Sequence, residues 1–302
     1  MKKEITTKKE AWLHAVRLRT LPLALASILA GSFLAAWKES FRWEILLLAA
    51  LTTIFLQILS NLSNDYGDTV HGADSAERQG PVRAVQSGII TLPEMKRAMY
   101  LFGILSLVSG LLLLYLAVED WKLFSLFLAL GLAAIWAAIT YTSGSNPYGY
   151  AGLGDISVFL FFGLLGVLGT FFLHTLSFEP LTLLIGVALG LFSAAVLNIN
   201  NIRDIESDEK AGKKSIPVRI GRTAAVRYNW ALLAGGYLCL IGFVLVSGQH
   251  LALLALLAGL VMWKVGSGVQ RAKSSAETDP FLKTMAISTL LWVVLFGVGL
   301  LF

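Results

Sequence analysis

Residues 61–83 read NLSNDYGDTVHGADSAERQGPVR, a concentration of carboxylates and amides directly after a long apolar run. If the helix of that run continues into this stretch, Asn61, Asn64, Asp65 and Asp68 fall at i, i+3, i+4 and i+7. That spacing puts all four side chains on one face. Asp74 follows a break at Gly72, and Arg78 and Arg83 bring positive charge into the same loop. Carboxylates this close repel one another unless a cation sits among them, and a divalent metal is the simplest resolution. A second stretch, NINNIRDIESDEKAGKKSIPVRIGR, repeats the arrangement. Shifting the first by 136 residues lays Asn64 on Asn200, Asp68 on Asp204, Arg78 on Lys214 and Pro81-Val82-Arg83 on Pro217-Val218-Arg219. Asn201, Asp204 and Asp208 are again spaced to share a face.

Two carboxylate clusters with basic residues beside each suit a diphosphate held through Mg²⁺. Magnesium is a hard ion bound by one or two carboxylates together with phosphate oxygens and water. Two sites would neutralise charge on a departing diphosphate, and Arg78, Arg83, Lys213, Lys214 and Arg219 could add charge-assisted hydrogen bonds. No glycine-rich nucleotide loop is present. A diphosphate that enters a membrane cavity is most naturally attached to a lipid. The plain alternative, a solvated cytoplasmic loop, accounts for either stretch alone. It accounts poorly for two stretches at equivalent places, each beginning inside an apolar helix, where ionisable groups are costly.

The elements that position these residues are transmembrane helices. The chain is 56% hydrophobic and only 14% charged, against roughly a quarter charged in soluble proteins, so it reads as an all-α polytopic membrane protein. Apolar runs near the roughly 20 residues that span a bilayer occur at 22–37, 43–60, 98–118, 121–141, 155–173, 181–200, 226–246, 249–267 and 283–302. With the N-terminus inside, the outside segments carry only Lys38, Arg42 and Lys122 of the 24 Lys and Arg residues. That asymmetry predicts an N-in, C-out topology with both acidic stretches cytoplasmic. It also explains the net charge of +5 without nucleic acid. The 136-residue offset spans four helices, which predicts two same-orientation four-helix repeats relating 61–83 to 197–219, with a ninth helix added. The inverted repeats of many transporters would differ.

Residues 1–21 are basic and amphipathic, lack a cleavage site, and read as a retained cytoplasmic or interfacial arm of a single 1–302 domain. Cys239 is the only cysteine, which excludes an internal disulfide. Small residues at Gly186 and Gly190, Ala134 and Ala138, and Gly163, Gly166 and Gly169 suit close helix packing or room for an isoprenoid chain. His71 reads as a solvated loop residue or a metal contact. His14 lies on the arm, and His174 and His250 lie in predicted outside turns.

At these residues the chain resembles the UbiA superfamily of intramembrane prenyltransferases. Asn64-Asp65-Tyr66-Gly67-Asp68 is similar to the first aspartate motif of that family and Asp204-x-x-x-Asp208 to the second. Arg19-Thr20-Leu21-Pro22, Asn61 through Asp74, Arg78-x-Gly80-Pro81-x-Arg83, Met95-Lys96-Arg97 and Pro147-Tyr148-Gly149-Tyr150-x-Gly152-x-Gly154 look most like the subgroup that prenylates 1,4-dihydroxy-2-naphthoate in menaquinone synthesis. The resemblance implies a helical cavity under a cytoplasmic cap, with a polyprenyl diphosphate held through Mg²⁺ and its tail in a lipid-facing tunnel. Asp65, Asp68, Asp204 and Asp208 would hold metal, with Asn61, Asn64 and Asn201 orienting them. The allylic cation would attack the naphthoate ring, which loses its carboxylate as CO₂ to give demethylmenaquinone. Asp74 lies six residues after Asp68, where many members have the third aspartate after four. Ser145-Asn146 stand where relatives often have basic residues. Tyr141 or Tyr148 would supply a hydroxyl there. Asp155 is a candidate base or substrate-orienting residue, or equally a carboxylate at a helix N-terminus.

Other acceptors (4-hydroxybenzoate, homogentisate, haem or a chlorin) fit the same motifs. The Asp-Gly-x-x-Ala-Arg motif of CDP-alcohol phosphatidyltransferases is absent. A cation-coupled transporter is disfavoured by the same-orientation repeat and by the position of the acids at one membrane face rather than the midplane. A non-catalytic assembly protein would need no metal.

Overall fold

The computed structural model describes residues 7–72 and 83–302. Nine helices among them are long and apolar enough to cross a membrane, matching the expected count and order. A short α1 (Lys8–Val16) and a 3₁₀ turn (Leu18–Thr20) lead into α2 (Leu21–Trp37), the first span. The next three spans are α3 (Trp43–Val70), α4 (Leu92–Ala117) and α5 (Trp121–Thr140). The fifth is composite: α6 (Gly154–Val158), a π-helical stretch (Phe159–Gly169) and α7 (Thr170–Thr175). α8 (Thr182–Arg203) is the sixth span, followed by a short α9 (Ile205–Lys210). α10 (Ile216–Ser247), a 3₁₀ segment (His250–Leu257) continuing into α11 (Ala258–Arg271), and α12 (Ser275–Leu301) complete the bundle.

Local chemistry fixes the ends. Capping boxes start α1 at Thr7 with Glu10 and α4 at Thr91 with Glu94, each satisfying two otherwise unpaired backbone donors. The tight turn at 117–121 is set by Asp120, whose carboxylate accepts from the Leu123 N–H. Gly248, at φ +75, stops α10, because the left-handed conformation carries no Cβ penalty at glycine. α3 does run on through the first acidic stretch to Val70, so the conditional reading of that stretch as helix holds.

Packing is uneven. The four last spans close on a core in which the rings of Phe192, Trp292, Phe296 and Phe243 follow one another at 5.3–5.5 Å. Gly163 explains how the fifth span joins them: a Cβ there would lie 2.6 Å from Gly186 O and from the Gly190 Cα. Close backbone approach is thus the role of those three glycines. Ala134, Ala138 and Gly169, in contrast, line a large cavity, and Gly166 does so while packing closely on α2, where a Cβ would lie 2.7 Å from Ser27 Cβ. α5 buries only Ala137, so the wall formed by spans two to five is thin.

The N-terminal arm departs from a purely interfacial reading. Ala11 and Ala15 of α1 are fully covered, packed with Ile58, Leu59 and Leu62 of α3. His174 is 4% exposed rather than in an open turn. Its Nδ1 accepts from the Arg42 N–H and its Nε2 lies 3.0 Å from Ser32 Oγ, so it ties the first, second and fifth spans together at the end opposite the aspartates.

Candidate active site

Both acidic stretches sit at the same end of the bundle, at the C-terminal turns of α3 and α8, and open into one cavity of about 750 Å³. The i, i+3, i+4, i+7 spacing does its work on α3: Asn61, Asn64, Asp65 and Asp68 all line that cavity. From the other side come Asn201, Asp204 and Asp208. The α8 helix breaks at Asp204, whose carbonyl still accepts from the Asp208 N–H at 2.8 Å, so the two carboxylates stay one turn apart across the break. All four aspartates are 2–7% exposed.

Buried carboxylates need compensating charge, and the site supplies it from loops. Arg83 Nη2 lies 2.6 Å from Asp68 Oδ2. Lys213 Nζ bridges the two motifs, 2.9 Å from Asp68 Oδ1 and 3.6 Å from Asp208 Oδ1. Tyr150 donates its hydroxyl to Asp68 Oδ1 at 2.8 Å and carries the Lys213 ammonium 4.8 Å over its ring. Arg203 grips Asp204 with both arms of its guanidinium, Nε to Oδ1 at 2.8 Å and Nη2 to Oδ2 at 2.5 Å. Its third nitrogen reaches Asp279 Oδ1 on α12 at 2.5 Å, and Arg19 Nη1 lies 3.6 Å from the other oxygen of Asp279. Asp208 is held less firmly. Burial lifts its carboxyl to about 6, against the pull of Lys213, with the charges of Asp204 and Asp68 adding to the rise.

Asp65 differs from its neighbours. Its Oδ2 accepts from the Ala84 N–H at 3.2 Å, while its Oδ1, fully buried, has no hydrogen-bond partner among the described residues. An orphaned carboxylate oxygen costs stability unless something satisfies it, and a cation shared with Asp68 would. Among the described residues no three acidic, His or Cys side chains converge tightly enough to enclose an ion alone. That fits magnesium, which takes one or two carboxylates and completes its shell with phosphate oxygens and water.

The amides act as struts. Asn61 donates to Val16 O at 2.9 Å and Thr20 Oγ1 at 3.0 Å, pinning the arm over the cavity, which His14, Arg17 and Arg19 also line. Asn64 Oδ1 accepts from Thr142 Oγ1 at 3.0 Å. The loop between α5 and α6 approaches α3 so closely that a Cβ on Gly67 would overlap the Thr142 carbonyl. His71 belongs to this contact, its ring nitrogens 2.8 Å from Gly67 O and 3.0 Å from Gly144 O, which makes it a clasp between segments. Tyr141, Tyr148 and Asp155 all line the cavity. Tyr148 donates to Ala137 O at 3.0 Å, and Asp155 Oδ1 accepts from the Tyr228 hydroxyl at 3.2 Å. Burial raises the Tyr141 and Tyr148 hydroxyls above the ordinary phenol value, so both remain donors.

Of the expected phosphate contacts, Arg83 and Lys213 line the cavity. Lys214 and Arg219 lie outside that lining. The Lys214 N–H donates to Tyr150 O and the Arg219 guanidinium to Ala151 O at 2.6 Å, so they knit the two loops that cap the site. Asp74 and Arg78 lie outside the described residues. Sequence reasoning missed Arg203, Asp279, Arg19 and Tyr150 as partners of the aspartates. Arg203 adjoins the second motif directly, and an acidic residue beginning the last apolar run was the one available sign of Asp279.

Similarity to known proteins agrees with this geometry. The model of the UbiA prenyltransferase family matches residues 24–299. A 1,4-dihydroxy-2-naphthoate octaprenyltransferase of Escherichia coli is 44% identical over 301 residues, covering 99% of this chain and 98% of the relative. The enzyme of that name from Mycobacterium tuberculosis is 35% identical, covering 94% of each. Among solved structures, a UbiA homolog from Archaeoglobus fulgidus bound to GPP and Mg²⁺ superposes with a TM-score of 0.67, at 17% identity, covering 96% of this chain and 99% of that one. A family match across nearly the whole chain, joined to two aspartate motifs facing one intramembrane cavity, leaves one assignment: this chain belongs to the UbiA prenyltransferase family.

Proposed function

We propose that the protein transfers a polyprenyl group from an allylic diphosphate to 1,4-dihydroxy-2-naphthoate with loss of CO₂, giving demethylmenaquinone at the quinol level, since the transfer itself is redox-neutral. The observation that carries this reading is the 44% identity, over the full length of both chains, to a relative named for that acceptor. The site is compatible with it. Asp65 and Asp68 on one side and Asp204 and Asp208 on the other would hold Mg²⁺, which when bound supplies neutralisation of the diphosphate charge. Arg83 and Lys213 turn from their carboxylate partners to the phosphate oxygens, and the cap formed by the 141–153 and 211–215 loops excludes water from the reacting carbon. The allylic C–O bond breaks, with its electron pair leaving on the diphosphate; the naphthoate ring forms the new C–C bond, and its carboxylate bond breaks, the electron pair returning to the ring as CO₂ departs. Asp155, which accepts from the Tyr228 hydroxyl, would take a proton from an acceptor hydroxyl.

The enzyme works in this reading as a multi-pass protein of the cytoplasmic membrane, with the aspartate end inside. The test is a membrane assay with radiolabelled 1,4-dihydroxy-2-naphthoate and an allylic polyprenyl diphosphate, with and without EDTA. A decarboxylated, lipid-soluble product that disappears with EDTA and returns with Mg²⁺ is the expected result. No product from folded protein would overturn the acceptor assignment, and a panel of other aromatic acceptors would then replace it.

A further inference from the structure

The ninth span closes on the break in α8 through its first two turns. Ser275 and Asp279 stand four residues apart on α12, so they share a face, and both reach Arg203. Ser275 Oγ donates to the Arg203 carbonyl at 2.6 Å. Asp279 Oδ1 accepts from Arg203 Nη1 at 2.5 Å. The opposite edge of the same guanidinium, Nε and Nη2, holds Asp204, and Nη2 also donates to Asn200 Oδ1 at 2.9 Å. With the Arg203 side chain 2% exposed, the planar fork is held at every nitrogen and its orientation is fixed.

Arg19, Arg203 and Asp204 line the cavity, whereas Asp279 lies outside its lining. Whatever Asp279 does to the site, it does through the arginines. Its second oxygen lies 3.6 Å from Arg19 Nη1, so charges alternate in sign from Asp204 through Arg203 and Asp279 to the N-terminal arm. Both oxygens of Asp204 face Arg203. A carboxylate offers about four lone-pair sites over its two oxygens, so Asp204 can serve a cation as well only while the guanidinium keeps to its own edge. A guanidinium answered by Asp204 alone would compete with a cation for the same oxygens. Asp279 takes a share of the Arg203 charge from the far edge, and its own negative charge favours a cation in the site.

We infer that Asp279 is a positioning residue for the second aspartate motif, tethering Arg203 so that Asp204 stays open to Mg²⁺. The inference rests on the reading of Asp204 as a metal-holding aspartate. A plain pin between α12 and α8 would act on stability alone. Ser275 is such a pin, bound to the Arg203 backbone and not to its guanidinium, so the two residues separate docking from positioning.

The experiment titrates Mg²⁺ in the presence of inorganic diphosphate and follows the thermal midpoint of the full-length protein in detergent. Wild type, Asp279→Asn, Asp279→Glu and Ser275→Ala are compared by the Mg²⁺ concentration that gives half of the full shift. Asp279→Asn keeps the acceptor oxygen and the shape but drops the charge, and raises that concentration about tenfold, as loss of a partner behind a metal ligand typically does. Asp279→Glu keeps the charge but displaces it, and gives a smaller rise. Ser275→Ala lowers the midpoint without Mg²⁺ and leaves the Mg²⁺ concentration at the wild-type value. Transfer activity at limiting Mg²⁺ relative to saturating Mg²⁺, taken within one preparation, falls in the same order. A wild-type Mg²⁺ requirement in Asp279→Asn would overturn the inference, as would an equal rise in Ser275→Ala. Should Asp279→Asn fail to fold, Asp279→Glu decides, and a wild-type requirement there overturns the inference equally. Wild type whose midpoint does not respond to Mg²⁺ and diphosphate would instead remove the metal reading on which the inference rests.

Discussion

Asp208 is where solution conditions reach the site. Its carboxyl is lifted to about 6 by burial, above an unfolded value of about 3.9. The group therefore favours the fold at pH below the unfolded value and loses that contribution as pH rises through about 6, where the ionised form must be paid for by a cation. Metal binding needs the ionised form. The Mg²⁺ concentration for half-maximal turnover is accordingly expected to climb as pH falls from 7.5 towards 5.5, and Mg²⁺ should raise the thermal midpoint more at the higher pH. Parallel titrations at the two pH values check both; a flat Mg²⁺ requirement would remove Asp208 from the metal site. Asp68 has a different neighbourhood, fixed by Arg83, Lys213 and Tyr150. Asp68→Ala and Asp204→Ala are each expected to lower kcat by about 10²–10³ or more while the protein inserts and elutes as wild type. Near-normal turnover in both would contradict the two-motif mechanism.

At the scale of elements, glycines divide into two kinds that look alike in the sequence. Gly163 meets backbone of the sixth span, and Gly131 meets open space. Gly163→Ala forces spans five and six apart and should cost about 1–3 kcal/mol, as overpacking typically does. Gly131→Ala meets no atom and should leave stability unchanged or slightly raised through helix propensity. Thermal unfolding in detergent separates them, and equal effects would mean that the fifth and sixth spans are not packed through Gly163. The arm of α1 shows the same dependence on context. Its alanines bury against α3, and Asn61 holds its end, so the arm belongs to the wall of the site.

For the whole molecule, the unequal halves matter most. Spans six to nine form a dense aromatic core, while spans two to five surround empty volume. From the placement of Lys and Arg we propose that the aspartate end lies inside. In a Cys239→Ala background, Ser177→Cys, at the turn between spans five and six, should react with an impermeant maleimide on intact cells. Lys273→Cys, between spans eight and nine, should react only after the membrane is opened. The reverse pattern would invert the topology.

Hydropathy by itself determined the number and order of the spans, because a bilayer forces every span to satisfy its own backbone. The spacing of Asn61, Asn64, Asp65 and Asp68 likewise determined a shared face, since helical periodicity needs no tertiary information. Only the tertiary structure decided which charges answer which. Arg203 and Asp279 are 76 residues apart in sequence, and nothing local says that the last span returns to the second motif. Arg219 shows the converse, because a basic residue beside a motif reads as a phosphate contact until the carbonyl partner of its guanidinium on another loop is seen. The cavity was the least legible feature. Its walls are the same Leu, Gly and Ala residues that elsewhere fill the core, and whether such residues pack or enclose space depends on how far apart four helices stand.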